Sequence, residues 1–278
     1  MNPLLAALVA AGVIDRDEAE RINRMLDAEL GRVWAEQQLA AATARALAAQ
    51  QQRLAAAAQE GGADRLLQAS LWSAEDTALA RDILPTVRGL AGEQAIIASV
   101  RSGLDMWQAT NHAVIEWVES YYISAEAGAL GSIPNLNATA RTAIGNMVNA
   151  WQRGELEAGT VEGGLPQLVA AMEETFGAER GARISVTETT RIFAESTRAA
   201  ALANPYVTRL TWATARDDVT CAICGPMDGR SILKGAGSFP GGLFPPAHPN
   251  CRCWVREESE LTAAVPLGMG GAGTWTYA

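Results

Sequence analysis

Lysine, histidine and cysteine are all scarce in this chain of 278 residues, and each shortage limits what the protein can do. Lys234 is the only lysine, so positive charge comes almost entirely from arginine, and the formal net charge is −9. General binding of nucleic acid needs clustered positive charge that neutralises phosphates. The overall acidity argues against that class, although between residues 178 and 256 ten basic residues stand against six acidic ones.

Long apolar runs are missing too, since no span reaches the roughly 20 apolar residues that cross a bilayer. The apolar start from Leu4 to Ile14 lacks a basic segment before it and runs into the charged residues 15–18. We interpret it as a short helix rather than a signal peptide. We therefore expect no membrane insertion, and synthesis in the cytoplasm, where thiols stay reduced.

Large apolar side chains are few. Apolar residues make up 49% of the chain and aromatic residues 6%, and much of the apolar share is alanine, which favours helix but buries little area. We expect a helix-rich protein with a thin core that relies on partner chains. Steps of three and four residues between larger apolar side chains predict helices at residues 4–11, 15–59, 64–84, 93–124, 138–151, 165–176 and 178–204.

Local signals predict where these helices begin and end. Asp15 fits an N-cap, and Glu18 three residues later completes a capping box. Pro85 is expected to end the helix before it. Residues 128–137 are rich in turn formers and predict a non-helical break.

The composition changes after residue 205. Leu210 and Trp212 alternate with polar residues, which predicts a short strand, and a last strand is predicted at residues 251–255. The expected fold class is therefore mainly α, with an elongated helical N-terminal region and a small C-terminal α+β module stabilised by zinc. The predicted division is a helical docking region at 1–153, a linker at 154–164, the module at 165–256 and a flexible tail at 257–278.

The four cysteines all fall between positions 221 and 253. Cys221 and Cys224 have the Cys-x2-Cys spacing, in which a tight turn lets two thiolates bind one ion. His248 and Cys251 repeat that three-residue step, and Cys253 follows two residues later, so that in a strand the last two cysteines would face the same side. In a reducing compartment such a cluster predicts a metal site before disulfides.

Five donors are then available for an ion that takes four, and spacing alone leaves open which of Cys251 and Cys253 binds. Disulfides or buried free cysteines remain an alternative. A catalytic zinc with three protein ligands, an open water position and a nearby general base is another. The module is poor in bulky side chains, so we favour a structural zinc, whose binding energy adds to the folding energy.

A longer pattern runs through the same region: Thr187-Glu188, Trp212, Asp217, Cys221-x2-Cys224, Gly229 and Pro245-Pro246-x-His248-Pro249-x-Cys251-Arg252-Cys253. It resembles the phage head morphogenesis domain of the phage Mu F-like minor head protein family, over roughly residues 165–254. In that family Thr187 and Glu188 correspond to a recurring helical pair. We expect a structural role for it, in which Glu188 pairs with Arg191 or accepts from the backbone of the metal module.

The resemblance implies a non-enzymatic minor head protein of a tailed phage, a prophage or a gene-transfer particle. Such a protein acts in head assembly and in genome packaging or delivery. The implied partners are the portal ring, other head or connector proteins and the packaged DNA, with multiple copies in each particle. The implied location is the portal vertex of the virion head, after synthesis in the host cytoplasm.

Two other functions stay open at this stage. One is a DNA-contacting assembly factor, and the other is an enzyme such as a transferase acting on host protein, for which the sequence offers no cofactor loop, nucleophile–base pair or carboxylate dyad. The DNA interpretation depends on the following arginines: Arg180, Arg183, Arg191, Arg198, Arg209 and Arg216.

Overall fold

The computed structural model describes residues 2–24, 28–102, 107–123, 132–156, 164–215 and 220–259. Most of these residues are helical, and a three-stranded antiparallel sheet lies near the C-terminus, so the predicted mainly α fold with a small C-terminal α+β module is confirmed. The α-helices are α1 (Pro3–Ala10), α2 (Arg16–Arg24), α3 (Ala28–Gly61), α4 (Ala69–Ser102), α5 (Trp107–Ile123), α6 (Ile133–Gln152), α7 (Gly164–Ala171), α8 (Glu173–Phe176) and α9 (Ala178–Ala203).

The first two helices form a small apolar cluster on the end of α4. Leu5 and Ile22 are fully buried there against Ile96 and Ile97. Asp15 precedes α2, and its Oδ1 accepts a hydrogen bond from the backbone N–H of Glu18 at 2.7 Å, as an N-cap side chain does. The predicted N-cap is therefore confirmed.

Helices α3 and α4 are each 34 residues long, which corresponds to about 51 Å at 1.5 Å per residue. Pro85 lies inside α4, so the prediction that it ends a helix is wrong. A proline inside a helix loses a hydrogen bond and costs about 3 kcal/mol. Burial of the neighbouring residues Leu84 and Val87 against α3, α5 and α9 offsets that cost.

Two further helix boundaries differ from the expectation. The helix predicted at 93–124 is divided, because its first part belongs to α4 and its second part is α5. The expected break at 128–137 is only partly described, and α6 already begins at Ile133, with Pro134 in its first turn. Proline is favoured in the first turn because the N–H that it lacks has no partner there.

Helix α9 contacts both the sheet and the helical body, by which we mean helices α3, α4 and α5. Ile192 is buried among side chains of α3, α4 and α5, whereas Ala194 and Ala201 are buried in the core of the C-terminal module. Its observed range, Ala178–Ala203, agrees with the predicted helix. This helix therefore positions the C-terminal module on the rest of the protein.

The sheet has the order β2-β1-β3, with both outer strands antiparallel to β1. The strands are β1 (Val207–Ala213), β2 (Ser231–Leu233) and β3 (Trp254–Ser259). The predicted first strand is confirmed, whereas the last strand begins at Trp254 instead of residue 251. None of the helices in the described part of the chain combines the length and the apolarity that crossing a membrane requires.

Strand β3 carries an acidic side chain on the buried face of the sheet. Glu257 pairs with Leu210 in the register, so the two side chains share the face that packs against the helices. Its Oε1 is buried without a hydrogen-bond partner among the described residues. Burial raises the pKa of this carboxyl from its ordinary 4.5 to about 7, against the opposing effect of Arg101.

Replacing Glu257 with glutamine should stabilise the protein at alkaline pH and have little effect at acidic pH. The folded protein binds the proton of Glu257 more tightly than the unfolded chain does. The free energy of unfolding is therefore at its full value below pH 4.5 and falls as the pH rises to about 7. The variant should gain about 2 kcal/mol over the natural protein at pH 8. Urea unfolding at pH 5 and pH 8 measures this gain, with exposed Glu60→Gln as the control; an equal effect at both pH values would contradict it.

Candidate metal centre

The first two thiols lie on a tight turn after β1. The backbone N–H of Gly225 donates to the carbonyl of Cys221 at 2.9 Å, which closes the turn. The N–H of Cys224 points at the sulfur of Cys221, with a distance of 3.4 Å between nitrogen and sulfur. This is the geometry that Cys-x2-Cys spacing produces, and it places both sulfurs on the same side of the turn.

The other donors lie on a second turn just before β3. The N–H of Cys251 donates to the carbonyl of His248 at 3.2 Å. Asn250 has a φ of 61°, in the left-handed region that asparagine adopts more readily than most residues. Cys251 and Cys253 both precede β3, so the expectation that a strand orients them is wrong; the turn and the extended residues after it do so instead.

The five ligand atoms come together in two overlapping groups. Cys221, Cys224 and His248 form one group, and Cys224, Cys251 and Cys253 form the other, each with its ligand atoms within 4.8 Å of one another. Nε2 of His248 lies 3.0 Å from the sulfur of Cys221 and 3.2 Å from that of Cys224. Cys224, which belongs to both groups, is therefore the central donor.

The imidazole of His248 is oriented by its own loop. Its Nδ1 lies 2.8 Å from the carbonyl oxygen of Pro249, so a proton on Nδ1 is donated to that oxygen. This arrangement leaves the lone pair of Nε2 directed at the sulfurs. Histidines that bind metals are held in this way, with the second nitrogen on a carbonyl or a carboxylate.

The thiols differ strongly in acidity. A hydrogen bond from Cys253 is the largest of the effects that lower the pKa of Cys251 to about 5. Burial raises the pKa of Cys224 to about 12. Burial opposes ionisation of Cys221, but the N–H groups of Cys224 and Ile223, the thiol of Cys224 and the nearby His248 together lower the pKa of that thiol.

The donor set fits a soft divalent metal. Three or four thiolates and one imidazole are the ligands of structural zinc sites, whereas magnesium and calcium prefer oxygen. With zinc–sulfur bonds of about 2.3 Å, two thiolates on a tetrahedron lie about 3.8 Å apart. The sulfurs of Cys224 and Cys251 are 3.8 Å apart, so this pair already has the separation that such an ion requires. The cluster could hold a metal ion, and Cys221, Cys224, His248, Cys251 and Cys253 are its candidate ligands.

A cavity of about 500 Å³ opens beside the cluster. The ligand residues Cys221 and His248 line it, together with Val186 of α9 and with Arg252. An opening of this size gives an ion a path from solvent to the sulfurs.

Comparison with protein families connects this site to a known group. Residues 135–256 match the family model of the Phage Mu protein F like protein. This segment, which is less than half of the chain, is similar to the phage Mu F-like family. Comparison with curated proteins and with solved structures gave no significant match.

The match to the phage Mu F-like family indicates a phage head morphogenesis protein, found in the virion with other head proteins as partners. The match begins inside α6, upstream of the predicted module boundary at residue 165, and it ends in β3. It therefore contains all five candidate ligands and the whole of α9.

The paired residues Thr187 and Glu188 face different neighbours. Oγ1 of Thr187 accepts a hydrogen bond from the backbone N–H of Asn250 at 2.9 Å, next to the candidate ligand Cys251. Glu188 is buried and accepts from the hydroxyl of Tyr122 at 2.8 Å and from Nε of Arg191 at 3.3 Å. The structure thus contains the expected pair with Arg191, and of the two side chains it is that of Thr187 that bonds to the backbone of the metal module.

Trp212 lies under the cluster. It is fully buried, with its ring edge-on to Phe239 at a centroid distance of 5.2 Å. Its indole N–H is buried without a hydrogen-bond partner among the described residues. The pKa of the neighbouring thiol of Cys253 is raised, chiefly by the hydrogen bond to Cys251. Asp217, the remaining residue of the motif, lies outside the described residues.

Sequence reasoning missed two residues that support the cluster. Thr190 donates from Oγ1 to the carbonyl of Cys251 at 2.6 Å, in a buried position. Arg32 of α3 donates from Nη1 to the carbonyl of Arg252 at 3.0 Å. The i, i+3 spacing of Thr190 from Thr187 could have indicated the first, whereas nothing local in the sequence indicates Arg32.

Replacing Cys224 with serine should reduce metal content far more than replacing Cys253 with serine. The first change removes the donor that both groups share, and the second leaves one histidine and three cysteines. Metal per chain is measured by elemental analysis of purified protein.

Loss of metal should also increase protease cleavage within residues 220–259 while most of the helical circular dichroism remains, because the helices have apolar cores of their own. Equal metal loss in both variants would contradict the central position of Cys224. Unchanged protease resistance after chelation would contradict a structural ion.

Proposed function

We propose that the protein is a minor head protein that binds at the portal vertex and takes part in head assembly and in packaging or delivery of the genome. The observation that carries this proposal is the match of residues 135–256 to the phage Mu F-like family, with a sulfur-rich metal cluster inside the matched segment. The particle would be that of a tailed phage, one encoded by a prophage, or a gene-transfer particle derived from such a phage.

The ion that we propose is zinc, in a structural role. Zinc is not a redox metal and prefers four sulfur and nitrogen donors in a tetrahedron. A catalytic zinc keeps one position for water, but here five protein donors compete for four positions. The core of the module is small, and the three buried cysteines Cys224, Cys251 and Cys253 form part of it, so an ion adds cohesion that apolar contacts alone do not supply.

An enzymatic function is not part of the proposal. Glu188, the acidic residue of the family motif, is buried against Tyr122 and Arg191 and does not line the cavity beside the cluster. Burial raises its pKa. Its contacts support a role in holding α5 on α9 instead of one in proton transfer to a substrate.

Three of the six arginines on which the DNA-contacting alternative depended are engaged within the protein, and Arg216 lies outside the described residues. Arg180 donates to the carbonyls of Thr175 and Leu136. Arg191 and Arg198 are paired on α9 with glutamates three residues before them. Side chains engaged in this way are not available to neutralise phosphates.

Docking on the portal through the helical region at 1–153 remains part of the proposal. If it holds, the protein should be found at one vertex of purified particles, in few copies, together with about one zinc per copy. A map of the portal vertex and elemental analysis of the same particles measure both quantities.

Crosslinking of particles provides the control for contamination, because a resident protein should crosslink to the portal protein and remain after nuclease treatment. An even distribution over the capsid, or removal by nuclease, would contradict portal docking. Iron in place of zinc would contradict the proposed ion without affecting the location.

A further inference from the structure

Side chains of α9 and α3 form hydrogen bonds with three consecutive residues of the loop before β3, which carries the donors His248 and Cys251. Thr187 accepts from the N–H of Asn250, Thr190 donates to the carbonyl of Cys251, and Arg32 donates to the carbonyl of Arg252. Two of these side chains lie on α9, and the third lies on α3, more than 200 residues earlier in the chain. The loop that carries Cys251 is therefore fixed by side chains of two helices, α9 and α3.

The bond from Thr190 is the most enclosed of the three. Thr190 is buried, and its oxygen lies 2.6 Å from the carbonyl oxygen of Cys251. Without this donor the carbonyl would be left in a buried position with a partner missing. The bond therefore fixes the peptide on which the sulfur of Cys251 is carried.

The bond from Arg32 connects the loop to the long helix α3. Nε of Arg32 is held by Glu36 at 2.7 Å, which leaves Nη1 to donate to the carbonyl of Arg252 at 3.0 Å. Because Glu36 and Arg32 lie one turn apart on α3, the direction of the guanidinium is set by the helix itself. Any displacement of α3 from the module breaks this bond.

We infer that Thr190 and Arg32 are positioning residues of the metal centre, and that metal affinity is coupled to the packing of α9 and α3 on the loop that carries Cys251. This inference rests on the metal site of the proposed function. Coupling of this kind is reciprocal, so bound metal must also hold α3 and α9 on the module. The metal centre thus stabilises the packing of α3 and α9 against the loop that carries Cys251.

Adjacent threonines on α9 provide a matched test. Thr189 and Thr190 are both buried, but Oγ1 of Thr189 has no hydrogen-bond partner among the described residues. Thr190→Val keeps the shape and removes the donor, Thr190→Ser keeps the donor, and Thr189→Val makes the same change at the neighbouring position. The affinity of the full chain for Zn²⁺ is measured by competition with a chelator.

Thr190→Val should weaken Zn²⁺ binding by about 10-fold to 100-fold, the range for partners that orient metal ligands. Thr190→Ser should restore most of the affinity, and Thr189→Val should leave it unchanged. Equal affinities for Thr190→Val and Thr189→Val would overturn the inference. If the natural protein bound no Zn²⁺ at all, the proposed metal site itself would fail, which is a different result.

A second pair of variants on α3 tests the connection to the body and does not depend on a core substitution. Arg32→Gln should weaken Zn²⁺ binding several-fold and should abolish the slowing of amide hydrogen exchange that Zn²⁺ causes in α3 around residue 32. Arg45→Gln, an exposed change on the same helix, should do neither. Exchange in α3 that is the same with and without Zn²⁺ in the natural protein would overturn the coupling to α3.

Discussion

The structure of the C-terminal module depends on bringing two separate turns close enough for their sulfurs to bind one ion. The turn after β1 and the turn before β3 are each closed by their own backbone hydrogen bonds. Neither turn alone sets the distance between Cys224 and Cys251. That distance is set by the sheet, which joins β1 to β3, and by the hydroxyl of Thr190, which holds the peptide of Cys251 from α9.

The core of the module is correspondingly small. Trp212 and Phe239 are its largest buried side chains, and three of its eleven buried residues are Cys224, Cys251 and Cys253. Thiols buried together without an ion are unfavourable neighbours once they ionise, because like charges at this distance repel. A bound cation attracts the thiolates that would otherwise repel one another. Its binding energy then stabilises the folded module through the same cysteines.

Local patterns in the sequence were enough to predict α9, β1 and the donors of the cluster, since each depends on spacing within a few residues. Longer-range packing decided the features that sequence reasoning missed. Pro85 remains inside α4 because burial on both sides of it outweighs a missing hydrogen bond. Arg32 supports Arg252 from the far end of the chain, a contact that no periodicity reveals.

The position of α9 also bears on where the module begins. A cut at residue 165 would leave Leu168, Met172 and Phe176 on one side and their partners Ile144 and Val148 of α6 on the other. Separating such a cluster exposes apolar surface to water, which costs roughly 25 cal/mol of free energy per Å². The family match, which starts at residue 135, retains α6 with α7, α8 and α9. The same cluster also contains Leu47 and Leu54 of α3 and Trp72 of α4. Helices α6 to α9 therefore pack on the earlier helices, and the metal cluster is held by a helix that is itself held by its neighbours.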